Sequence, residues 1–164
     1  MAEPLRPKSV DLSRVEMTEI VLPEDTNQYG HVWGGRVMAL IDKAAAIAAV
    51  RHSRSNVVTA SVDSLVFSAP VKLGHILRLL ASVNATYRTS MEIGVKVISE
   101  EPLTGRQSHC CSAYVTMVAL DPVGRPAPVP RLISRGKHEL RRRRDAVRRR
   151  RARLAARRRA TRRP

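Results

Sequence analysis

The chain has 164 residues and a mass of 18.2 kDa, the size of one domain with room for a tail. Its 30 Lys and Arg against 14 Asp and Glu give +16, but 16 of those cations and only 2 of the acids lie in residues 134–164, so the body is near neutral. No stretch approaches the roughly 18 apolar residues of a membrane span, Met1 to Asp11 lacks the apolar run of a secretory signal, and two adjacent cysteines without CxxC or Cys/His spacing exclude a disulfide framework and point away from zinc.

In chain order, residues 1–12 read as a loose lead-in. Arg14 to Leu22, rich in β-formers, predicts a first strand. Pro23 to Val32 reads as a loop, and Gly34-Gly35 opens a helix running to about Arg54. At 100° per residue, Met38, Ile41, Ala45 and Ala48 share that helix's apolar face. The pattern then switches to period two. Val57 to Phe67 predicts a strand ended by Pro70, and Ile76 to Arg88 the next. Met91, Ile93, Val95 and Val97 mark a third, and Cys111, Ala113, Val115, Met117 and Ala119 the inner face of a last one. On such a strand Cys110 and Cys111 point to opposite faces, which disfavours a bond between them. Short turns between these strands predict antiparallel pairing. One long apolar helix with one antiparallel sheet predicts an α+β domain whose sheet wraps that helix. The proline-rich stretch Pro122 to Pro130 marks the domain edge, giving a lead-in over 1–12, a domain over 13–133 and an Arg-rich tail over 134–164. Fourteen net charges on that tail predict disorder or a frayed helix, with Leu140, Val147 and Leu154 as a narrow heptad stripe.

Two features carry chemistry. Asp42 interrupts an otherwise apolar helical run and shares its side of the helix with Gly35, Ala39, Ala46 and Ala49. A carboxylate on a stripe of very small side chains implies close approach by a ligand or a second helix. A half-buried carboxylate can also serve as a base near neutral pH. Equally, Asp42 fits a structural charge at a subunit contact or beside Lys43. The second feature is the loop Asn27 to Gly35, whose glycines open a helix start. Its free N–H groups and dipole can hold a developing oxyanion, with Asn27 and His31 as nearby donors.

Together, Asn27-x-x-Gly30-His31-x-x-Gly34-Gly35 and Asp42 resemble the acyl-CoA thioesterases of the hotdog fold. Val58 to Asp63, Phe67-x-x-Pro70-Val71-x-x-Gly74, Arg88 to Ile93 and Tyr114 to Asp121 agree in order, so the resemblance spans about residues 13–133. It implies hydrolysis of an acyl-CoA thioester to acid and CoA, with no metal and no cofactor beyond the CoA of the substrate. Asp42 would be general base or nucleophile. Asn27 would hold the water or the thioester, and the amides near Gly34 and Gly35 would polarise the carbonyl. His31, Thr59, Arg88 and Ser90 would contact the thioester or the CoA arm. It also implies a homodimer in which Asn27 of one subunit meets Asp42 of the other, commonly assembled to a hexamer; the lack of a disulfide framework fits a reducing cytoplasm. Tyr87, where the family often has glycine, is a departure. The alternative is a non-catalytic acyl-CoA-binding hotdog module whose basic tail binds nucleic acid; non-specific polyanion binding by the tail is expected in either case.

Overall fold

The computed structural model describes residues 5–63 and 65–160. The chain runs β1 (Lys8–Ser9), a 3-10 turn (Val10–Ser13), β2 (Val15–Ile20), a second 3-10 turn (Pro23–Asp25) and α1 (Gly34–Ser53). β3 (Asn56–Val62), β4 (Ile76–Thr86), β5 (Ser90–Glu100), β6 (Gln107–Leu120), β7 (Leu132–Ile133) and α2 (Gly136–Ala160) follow. Strands β2-β4-β5-β6-β3 form one five-stranded antiparallel sheet. It curls round α1, which packs on β4, β5 and β6: this is the hotdog architecture. Among the described residues no helix is long and apolar enough to cross a membrane.

The period-two pattern sets the packing. Leu77, Leu79, Ala81 and Val83 of β4, Met91, Ile93, Val95 and Val97 of β5, and Cys111, Ala113, Val115 and Met117 of β6 are all buried on the α1 side. Each large apolar side chain so buried contributes about 1.5–3 kcal/mol. The opposing face of α1 is built largely of alanine. Ala44, Ala45, Ala48 and Ala49 have no exposed surface, so the helix axis lies close to the sheet. Arg54, at φ 57°, ends the helix in the left-handed region, with its N–H donating to Val50 O at 2.8 Å.

Several sequence expectations need correction. The lead-in is not loose from Lys8 onward: β1 pairs in parallel with β7, Val10 is buried, and the Ser13 hydroxyl donates to Val10 O and accepts from Val83 N. Ile41, Ala45 and Ala48 face the sheet as expected, but Met38 is 50% exposed. The contact arc centres on Val37, Leu40, Ala44 and Ala48, leaving Met38 at its edge. β3 ends at Val62, not Phe67. A bulge between Thr59 and Ser61 bends it, and beyond Val62 the chain bonds β6 through the Asp63 N–H to Tyr114 O and then the Ser68 N–H to Cys110 O. Both cysteines are buried and free, because a register shift at Val97/Ile98 places Cys110 in a bulge. The hydrogen bond with Cys110, then burial, pushes the Cys111 thiol far above its ordinary range.

The tail takes the helical of the two states expected for it, docked and not frayed. Residues 136–160 form a helix that lies on the sheet face opposite α1 and docks through its arginines. Ala146 is its only fully buried apolar residue among those described, whereas Leu140 and Leu154 are exposed. Arg149 holds the carboxylate of Glu92 through Nη2 at 2.6 Å and Nε at 3.2 Å, while its guanidinium stacks on Tyr114 at 3.5 Å. Glu92 is 1% exposed and also accepts from Asn84 Nδ2 at 3.2 Å. Arg150 stacks on Tyr87 at 3.8 Å, and Arg153 binds both oxygens of Asp63 at 2.7 and 3.0 Å. Gly94 is required here: a Cβ on it would lie 2.6 Å from Asn84 Nδ2.

Two outcomes follow. Changing Arg149→Leu strands the buried Glu92 charge, so chemical denaturation should show a loss of about 3 kcal/mol, much reduced when Glu92→Gln is added. His52, at the end of α1, is fully buried with Nε2 3.0 Å from Pro130 O. Burial lowers its pKa below the ordinary 6.5; the Pro130 carbonyl opposes this and the Lys8 cation adds to it. The unfolded chain therefore binds this proton more readily, so the stability due to neutral His52 is full above pH 6.5 and lost as pH falls below it. Thermal midpoints from pH 7.5 to 5 should fall in the wild type and fall less in His52→Gln.

Candidate active site

Chemistry gathers at the two exposed edges of α1. The first is its N-terminus. Trp33 caps the helix with extended backbone, and the Arg36 and Val37 amides both donate to its carbonyl. The amides of Gly34 and Gly35 have no intrahelical acceptor, and none among the described residues. They carry the partial positive charge of the helix end. A cleft of about 330 Å³ opens beside them, lined by Asn27, His31, Gly34, Val37, Phe67 and Cys110 among others. Gly34 sits under the Phe67 ring, where a Cβ would come within 3.3 Å of a ring carbon.

Asn27 is fixed by its own loop. Its Oδ1 accepts from the N–H groups of Tyr29 (3.0 Å) and His31 (3.2 Å), and its main-chain N–H donates to His31 O at 2.8 Å. Two donors on Oδ1 settle the orientation of the amide and leave Nδ2 as a free donor. His31 pairs as an isolated bridge with Lys72, so the loop is tied at both ends.

The second edge carries Asp42. It was expected to be half-buried, but on the single chain it is exposed, as are Gly35 and Ala39 on the same stripe. It lies just outside the buried arc that Ile41 and Ala45 turn to the sheet. The Thr59 hydroxyl donates to Asp42 Oδ1 at 2.6 Å and lies 3.4 Å from Met117 Sδ. Asp42 and Thr59 line a second hollow of about 270 Å³ with Met38, Ile41, Val62 and Leu65.

The single chain therefore joins Asn27, His31 and Gly34 in one cleft and Asp42 with Thr59 in another. Eight residues of helix, about 12 Å of rise, separate Gly34 from Asp42. Arg88 and Ser90 line neither hollow. Arg88 is exposed in the β4–β5 turn, where its carbonyl accepts from Val129 N, and Ser90 begins β5 in the row Ser90–Val118–Val58, next to the row that ends in Thr59. Sequence reasoning missed Cys110 as a cleft residue, because the bulge that turns it there leaves no mark on the alternation.

Residues 29–106 match the family model of the thioesterase superfamily. A Bacillus subtilis protein named as an uncharacterized acyl-CoA thioester hydrolase is 40% identical over 128 residues, covering 78% of this chain and 74% of its own. The chain belongs to the acyl-CoA thioester hydrolases of this superfamily. A hexameric acyl-CoA thioesterase in its apo form superposes with a TM-score of 0.90 at 40% identity, over 97% of this chain and 100% of that one, so the match extends into α2. The acyl-CoA hydrolase of Staphylococcus aureus, solved with butyryl coenzyme A and coenzyme A, gives a TM-score of 0.88 at 35% identity over 94% of each chain. It has also been solved with an Asn, an Asp and a Thr each changed to Ala, at positions 15 and then 17 residues apart.

If Thr59 orients the Asp42 carboxylate, Thr59→Val should lower kcat by about tenfold, one charge-assisted hydrogen bond, with little loss of stability. Thr59→Ser should restore most of it; steady-state kinetics and melting curves on the three proteins check this.

Proposed function

We propose that the protein hydrolyses the thioester of a fatty acyl-CoA, with Asp42 as general base and Asn27 and the first amides of α1 at the thioester. The observation that carries the reading is the pairing of a free helix N-terminus with an outward carboxylate on a stripe of small residues. Asn27, Asp42 and Thr59 are 15 and 17 residues apart, as are the three altered positions in the Staphylococcus aureus hydrolase. The carbonyl oxygen lies against the Gly34 and Gly35 amides and Asn27 Nδ2. Asp42 takes a proton from water as its oxygen attacks the carbonyl carbon. The oxyanion of the tetrahedral intermediate stays on those donors. The C–S bond then breaks, the acid is released, and the CoA sulfur takes up the proton. The reading calls on no metal or further cofactor; coenzyme A enters as part of the substrate.

Since one chain keeps Asn27 and Asp42 on separate hollows, the reading requires a second copy. With α1 beside its partner's α1, Gly35 and Ala39 allow close approach, and Asp42 of each subunit reaches the cleft of the other. The half-exposed Met38, Val62 and Phe67 gain cover in the same contact. Further assembly to a hexamer is consistent with the hexameric relative. His31, Arg88 and Ser90 are assigned to the CoA arm, and the two free buried thiols suit a reducing cytoplasm.

The test is CoA release, followed with a thiol reagent across acyl chains of two to sixteen carbons. Asp42→Asn and Asn27→Ala should each lower turnover by about 100-fold or more. Mixing the two variants under subunit exchange should recover about a quarter of wild-type activity, since half the dimers then hold one intact site. Unchanged turnover in either variant overturns the assignment, and no recovery on mixing overturns the shared site.

A further inference from the structure

The charge on α2 exceeds what its docking uses. Arg142, Arg149, Arg150 and Arg153 face the sheet, where Ser82, Glu92, Tyr87 and Asp63 receive them. Directly opposite the buried Ala146, at 100° per residue, lie Lys137, Arg141, Arg144, Arg148 and Arg151, all exposed. They form a straight row about 21 Å long. Among the described residues, Arg148 alone of the five pairs with an acid, Asp145 at 3.4 Å, and it stays 81% exposed. The helix beneath is held by ion pairs of Glu139, Arg149 and Arg153 with the body and by two ring stacks, so the row is pre-organised and not a floppy tail.

We infer that the outer row of α2 binds the phosphate backbone of a nucleic-acid duplex. A linear array of guanidinium groups complements a linear polyanion and gains from counterion release. No Phe, Tyr or Trp lies in residues 136–160 and His138 is not in the row, so the face has no platform for unstacked bases and reads backbone, not sequence. An anionic bilayer fits less well. The apolar residues Leu140, Val147 and Leu154 lie roughly 80° round from the row instead of at its centre, so inserting them would turn the cations aside.

The experiment is fluorescence anisotropy of a labelled duplex of mixed sequence with the full chain, from about 50 to 200 mM salt. Five phosphate contacts predict a log–log slope near −4.5 and a loss of affinity of about 500-fold over that range, equal for unrelated sequences. The combined variant Lys137→Gln, Arg141→Gln, Arg144→Gln, Arg148→Gln and Arg151→Gln keeps good helix formers and every inward arginine. Circular dichroism should show its helix intact, and its binding should fall at least 30-fold. A slope shallower than about −2, or variant binding within twofold of wild type, overturns the proposal. So does tighter binding to vesicles rich in phosphatidylglycerol than to the duplex.

Discussion

One helix must be buried on one side and reactive on the other, and most of the structure follows from that. The sheet can grip α1 only along the arc from Val37 to His52, where alanines bring the backbone near the strands. A broader grip would cover Asp42 and Gly35; a narrower one would leave the helix unsupported. The N-terminal amides stay open because the chain enters through Trp33, whose side chain makes no cap, and not through a Ser or Asp that would consume them. Local stability is thus given up at the helix start, and a dipole end with unpaired donors stands over a cleft. Thr59, reaching from β3 to Asp42, ties the reactive edge back to the sheet.

What could be read from the sequence divides along physical lines. Elements with strong period-two or helical patterning lie where they were expected: β2, β4 and α1 agree within two residues at each end, while β5 and β6 run three and four residues beyond the alternation that marked them. The misread places are those where tertiary contacts override local pattern. β1 and the Val10–Ser13 turn are held by partners about 120 and 70 residues away, which no local window contains. β3 stops early because of a bulge, and a bulge has no composition of its own here. The candidate site was legible as residue types and spacing, but not as two separate hollows. Which edge of α1 faces the sheet decides that, and Met38 was placed on the wrong side of the boundary.

The tail was legible as a possible helix but not as a docked one. A run of like charges was read as self-repelling, which holds for an isolated segment. On the folded body the sheet face opposite α1 carries Glu92, Asp63, Tyr114 and Tyr87, each of which receives an arginine. Guanidinium groups suit this role because they pair with a carboxylate through two N–H groups and stack on a ring with the same plane. Glu92 lies between Met91 and Ile93 of the apolar face, and alternation alone does not show that its side of the strand is covered. Without its arginine the buried carboxylate would be costly to hold, so the strand and the helix depend on each other.

That dependence also sets how much of the basic charge the fold explains. Two buried or half-buried acids and two rings engage Arg149, Arg150 and Arg153, with Arg142 near Ser82. A helix of this length with Gln in place of the five outward cations would keep those four contacts and would repel itself less. Like charges at i and i+4, as between Lys137 and Arg141 or Arg144 and Arg148, weaken a helix in isolation. The outward row therefore costs stability that docking does not require. The apolar flank is too narrow to make it an interfacial anchor. An external polyanion is what would turn that repulsion into attraction.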